Sequence, residues 1–139
     1  MTPRLFLLHG SDEFAIAEFV HKLKDKVADD PGTASLNTTI LDGRSVTLTE
    51  VQAATGAMPF LADIRLILVE GWISRLTGKA DEGEISEGSK AALAALIAYL
   101  PDLPETTCLA LVERRDLPDR GPLFKALAQL PWAKVQKFD

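Results

Sequence analysis

The chain has 139 residues, 47% of them hydrophobic and 25% charged, with a net charge of −5. That is one globular domain, large enough to bury roughly two-thirds of its unfolded surface without disulfides or metal. The acidic balance argues against broad contact with nucleic acid, which needs clustered Lys and Arg, so any contact with DNA is expected to be indirect.

Arg4 to His9 is a short apolar run that ends at Gly10. From Ser11 to Val27 the spacing turns helical, with Ile16, Phe19, Val20, Leu23 and Val27 on one face. Ser11 is the expected N-cap, and Asp12 and Glu13 put negative charge where the helix dipole favours it. Asp29 to Gly32 reads as a breaker, Leu36 to Leu41 as a second strand and Asp42-Gly43 as its closing turn. Thr47 and Glu50 have the spacing of a capping box that opens a helix running to about Ala57.

Pro59 then leaves two large apolar side chains, Phe60 and Leu61, in the turn before the third strand, Arg65 to Glu70. Such a pair either folds back onto the core, the commoner outcome for these residue types, or stands out as an apolar plug for a partner. The third strand is apolar almost without alternation, which implies cover on both faces, as in a parallel sheet. Trp72 to Leu76 is expected to form a helical turn and the polar stretch Thr77 to Gly88 a surface loop. The remaining elements are a helix from Ser89 to Leu100 stopped by Pro101, a strand from Thr107 to Val112, a helix from Asp119 to Leu130 and a strand from Lys134 to Phe138. Five strands alternating with helices predict an α/β domain with a parallel sheet in three layers. The stop just after Phe138 reads as a truncated chain or an excised domain. No apolar run approaches the roughly 18 residues needed to span a bilayer, and Met1 to Leu8 is too short for a signal peptide, so a cytoplasmic protein without membrane contact is expected.

In such sheets ligands bind beyond the carboxyl ends of the strands. The first turn, His9 to Phe14, lacks the second glycine and the lysine of a phosphate loop, and Asp12 and Glu13 occupy the helix start where a phosphate would sit. Hydrolysis of ATP and a bound cofactor are therefore not expected. A second reading gathers Asp12, Glu13 and Glu70 around a divalent cation, as in a receiver-like signalling module, although Glu70 is the wrong residue for acyl-phosphate chemistry. His9 and His21 lack metal-ligand spacing, Arg114-Arg115 and Asp119-Arg120 read as surface charges, and Cys108 reads as a small buried hydrophobe.

These residues together resemble the N-terminal domain of the delta subunit of bacterial DNA polymerase III, a clamp-loader subunit. The resemblance covers nearly the whole chain: Gly10-Ser11-Asp12-Glu13-Phe14 after the first strand, Leu41-Asp42-Gly43, the Thr47 to Glu50 helix start, and Met58-Pro59-Phe60-Leu61 followed by Arg65 and Leu66 to Val69. Later come Ala98-Tyr99-Leu100, Pro104-x-x-Thr107, and Asp119-Arg120 before Leu123-Phe124-Lys125. Ala15, Leu61 and Ile64 depart from the commoner aliphatic, aromatic and basic residues of the family. The resemblance implies an AAA+-like fold, residues 1–139 being its N-terminal domain, that has lost its phosphate loop. It also implies that Phe60 and Leu61, flanked by Met58 and Pro59, enter an apolar pocket on the sliding clamp, the beta subunit, while the helix from Thr47 presses near the ring interface. The ring is then opened without chemistry in this subunit, ATP hydrolysis belonging to other loader subunits. Those would be met through the lid and collar domains, which are absent here. Strand order separates the two readings: an AAA+-like sheet puts the fourth strand beside the first, a receiver sheet the third.

Overall fold

A computed structural model describes residues 3–77, 87–118 and 121–139. In chain order the elements are β1 (Leu5–His9), α1 (Glu13–Val27), α2 (Pro31–Leu36), β2 (Thr38–Asp42), α3 (Leu48–Gly56), β3 (Arg65–Glu70), α4 (Trp72–Thr77), α5 (Glu87–Tyr99), a 3-10 turn (Leu100–Asp102), β4 (Thr107–Glu113), α6 (Pro122–Ala128) and β5 (Ala133–Lys137).

The strands form one parallel sheet in the order β2-β3-β4-β1-β5. The fourth strand therefore lies beside the first, as expected for an AAA+-like sheet, and β4 separates Glu70 on β3 from the acids that follow β1. Side chains alternate across the sheet. Leu5, Leu7, Ile67, Val69, Leu109 and Leu111 face one core, which α3, α4, α5 and α6 cover with residues such as Val51, Ile73, Leu96 and Leu127. Phe6, Leu8, Leu66, Leu68, Cys108 and Val112 face the other, covered by Ile16, Leu23 and Val27 of α1 and Ala34 of α2. Each fully buried Leu, Ile or Val stabilises the fold by roughly 1.5–3 kcal/mol. The central strand β4 is buried at all its positions, whereas the edges β2 and β5 are largely open.

Five local expectations are corrected. The first helix is capped by Asp12, not Ser11: its carboxylate accepts from the Ala15 N–H, and its own N–H is held by the Phe138 carbonyl at the end of β5. The breaker at Asp29 to Gly32 is the start of a helix. Asp30 caps α2 by accepting from the Thr33 N–H and hydroxyl, and Pro31 takes the first helical position, where a missing N–H costs nothing. Leu36 is consequently helical, and the second strand begins at Thr38. Of the polar stretch Thr77 to Gly88, Thr77 closes α4 and Glu87-Gly88 open α5, while 78–86 lie outside the described residues. Asp119-Arg120 lie outside them too, and the last helix is shorter than expected at both ends. Among the described residues no helix is long and apolar enough to cross a membrane.

Candidate functional site

The loop that joins α3 to β3 is anchored on both sides. The capping box forms as expected: the Thr47 hydroxyl accepts from the Glu50 N–H, and the Glu50 carboxylate accepts from the Thr47 N–H. At the other end of α3, Thr55 is buried; its hydroxyl meets the Val51 carbonyl and the Tyr99 hydroxyl, and its carbonyl accepts from the Thr107 hydroxyl at 2.6 Å. Helix α3 is thus tied to α5 and β4 just before the chain leaves through Ala57.

Beyond that anchor the side chains turn outward. Met58 is 76%, Phe60 58% and Leu61 80% exposed, with Pro59 half-buried between them. The core outcome for Phe60 and Leu61 is excluded by these values: neither side chain belongs to either hydrophobic core. The backbone beneath them is nonetheless ordered by contact. Asn37 grips Phe60, its Nδ2 donating to the Phe60 carbonyl at 2.7 Å and its Oδ1 accepting from the Phe60 N–H at 2.7 Å. Leu61 follows with φ 56°, a left-handed conformation that is costly for an L side chain. A large aliphatic residue held in that conformation with its side chain in solvent is strain of the kind found at functional positions.

The turn after β1 is not arranged as a phosphate cradle. Three N–H groups here have partners within the protein, Gly10 in the Arg115 carbonyl at 3.0 Å, Asp12 in the Phe138 carbonyl at 3.0 Å and Ala15 in the Asp12 carboxylate at 3.0 Å. A phosphate cradle works through N–H groups that point into open space; for Gly10, Asp12 and Ala15 a backbone or carboxylate oxygen already takes that place.

The proposed cation site does not assemble. Glu70 is ion-paired with Arg114, whose guanidinium is held protonated more firmly than usual first by that hydrogen bond and, after the opposing cost of burial, by the charges of Glu70 and Glu13. Glu70 thus already has a cationic partner within the protein. Among the described residues no group of three or more His, Cys, Asp or Glu side chains is arranged to hold a metal ion. His21 lies beside Asp25 on the exposed face of α1. His9 is buried, and its Nδ1 accepts from the Leu117 N–H at 3.0 Å. Cys108 is far from it: His9 pairs with Glu113, five residues further along β4, or about 16 Å at the rise of a strand.

Sequence reasoning missed two residues. Asn37 precedes a β-branched strand start, where an amide is an unusual choice, but nothing local announces that it reaches a residue 23 positions away. Glu113, the acid that ends the otherwise apolar β4, is fully buried and accepts from the N–H groups of Ile73 and Ser74 and from the Ser74 hydroxyl, capping α4 from another strand. Arg115, expected on the surface, is half-buried beside it and donates to Ser74 Oγ at 3.1 Å.

The parallel sheet in the order β2-β3-β4-β1-β5, with helices on both faces, has the strand order expected of an AAA+-like fold. The family model for the DNA polymerase III delta subunit matches residues 6–136, and the chain belongs to that family. The fold is similar to that of the DNA clamp loader delta protein of Bacillus subtilis, with a TM-score of 0.75 at 23% identity, covering 98% of this chain and 39% of that one. It is also similar to a DNA polymerase III gamma subunit-related protein of Thermotoga maritima, with a TM-score of 0.61 at 15% identity, covering 99% of this chain and 41% of that one. The chain therefore spans about two-fifths of the length of these solved structures. No curated protein matches it in sequence.

Proposed function

We propose that residues 1–139 form the clamp-contacting domain of a clamp-loader delta subunit, and that Phe60 and Leu61, with Met58 and Pro59 shaping their approach, insert into an apolar pocket on the sliding clamp. The observation that carries this reading is the exposure of Met58, Phe60 and Leu61 on a loop whose backbone is anchored from beneath. A mobile apolar loop would lose ordering entropy on binding, whereas a held one offers its area at little cost. Binding of this kind opens a ring by differential affinity: if the contact is better made with the open form, the population shifts toward it with no chemistry in this chain.

The missing lysine after Gly10 and the committed N–H groups of Gly10 and Asp12 support a domain that works without ATP hydrolysis of its own, the energy coming from other loader subunits met through segments outside these 139 residues. The site of action is the bacterial cytoplasm, with DNA reached only through the clamp. The test is the double variant Phe60→Ala/Leu61→Ala. An interface anchor costs roughly 2 kcal/mol or more of binding, whereas a buried Phe or Leu truncated to Ala costs roughly 2–5 kcal/mol of folding stability. Binding to a bacterial sliding clamp should be lost with an almost unchanged melting temperature. Full-strength binding by the double variant would remove the proposed contact.

A further inference from the structure

Asn37 sits where α2 ends and β2 begins, and its side chain is fully buried. Its main chain is already used, the N–H on the Thr33 and Ala34 carbonyls and the carbonyl on the Leu66 N–H at the first rung between β2 and β3. The side-chain amide is therefore left for other partners. Nδ2 donates to the Thr33 carbonyl at 2.8 Å and to the Phe60 carbonyl at 2.7 Å, and Oδ1 accepts from the Phe60 N–H at 2.7 Å. The partners set the orientation, since a flipped amide would put its oxygen against two carbonyls. Side chain and loop thus pair as two strands would, donor to acceptor and acceptor to donor, at one residue only.

That residue lies just before the left-handed Leu61. Strain in a surface loop persists only where its surroundings over-determine the backbone, and the Asn37 amide supplies such a constraint from within the domain. We propose that Asn37 is a positioning residue for clamp binding: it pre-organises Phe60, and through it Leu61, so that both stand out before the partner arrives. The proposal rests on the clamp-binding reading above. The chemistry is specific to asparagine. Aspartate keeps the size and one oxygen but loses the donor and faces the Phe60 carbonyl with negative charge, and serine is too short to span both backbone groups.

Three measurements on the 139-residue chain decide it. The Phe60 amide should exchange with solvent hydrogen as slowly as a held backbone group; exchange at the rate of an unstructured peptide overturns the proposal with no variant needed. In Asn37→Asp, and likewise in Asn37→Ser, Phe60 exchange should be at least about tenfold faster and clamp affinity about tenfold weaker, while the sheet amides of Leu7 and Val69 keep their protection. If both variants melt as a whole, Asn37 is simply a core residue and the proposal falls. Failure of the wild-type chain to bind a bacterial sliding clamp would sink the clamp-binding reading before any variant is made. Unchanged affinity in a folded Asn37→Asp, with the wild type bound, would sink the positioning role alone.

Discussion

Gly10 and Phe138 close the turn after β1 against each other: a Cβ placed on Gly10 would fall inside the contact radius of the Phe138 carbonyl, the same carbonyl that accepts from Asp12 at 3.0 Å. Gly10 also has φ 139°, outside the range an L side chain adopts readily. Gly10→Ala should therefore lose at least about 2 kcal/mol of stability in urea unfolding, since backbone strain and a clash with main chain both oppose it. A variant as stable as the wild type would show that the β5 end does not seal this turn.

Leu61 offers the opposite case. Its left-handed φ of 56° costs an L residue roughly 1–2 kcal/mol, while glycine adds back about 0.5–1 kcal/mol of unfolded-chain entropy. Leu61→Gly should leave the melting temperature unchanged or slightly raised, yet bind a bacterial sliding clamp at least about tenfold more weakly, as expected when an interface anchor is removed. A drop of several degrees in calorimetry would mean that the exposed side chain supports the fold after all.

Cys108 lies within the second core, and burial pushes its thiol up to about 12. Because the thiolate is the reacting form, iodoacetamide should leave the native protein unlabelled and modify it promptly in urea, read as a mass shift. Labelling of the folded chain at neutral pH would contradict the packing around β4.

Glu113 links pH to stability. Burial pushes its carboxyl above the ordinary value of 4.5, against hydrogen bonds from Ser74 and Ile73 and the charge of Arg115, which pull it down. A folded pKa above the unfolded one means that the folded state holds the proton more tightly. This group's contribution is therefore most favourable below about 4.5, and it falls as pH rises through the folded pKa. Urea unfolding from about pH 4 to about pH 8 should show wild type losing ground to Glu113→Gln, whose side chain does not titrate. Glu113→Ala should be worse than either at every pH, by roughly 2 kcal/mol, because the Ile73 and Ser74 N–H groups lose their acceptor.

Hydrophobic period and capping chemistry are local, and they were legible. The apolar run Leu66 to Val69 announced a strand covered on both faces, Thr47 and Glu50 announced their capping box, and the missing lysine after Gly10 announced a first turn without a phosphate loop. Met58, Phe60 and Leu61 could be singled out because Pro59 interrupts a helix just before a strand, but residue type alone favoured the inward outcome, and the structure turns them outward. Pro31-Gly32 misled because both residues punctuate; only the Asp30 side chain folding onto Thr33 makes that segment a helix. The tertiary structure alone decided the pairs that join distant residues: Asn37 with Phe60, Glu113 with Ser74, and Gly10 with Phe138. A hydrogen bond between positions 23 or 39 residues apart leaves no period in the chain. It exists because the sheet order β2-β3-β4-β1-β5 brings the strand ends together, and that order comes from burying both faces of the sheet at once, a condition on the whole chain that no local window contains.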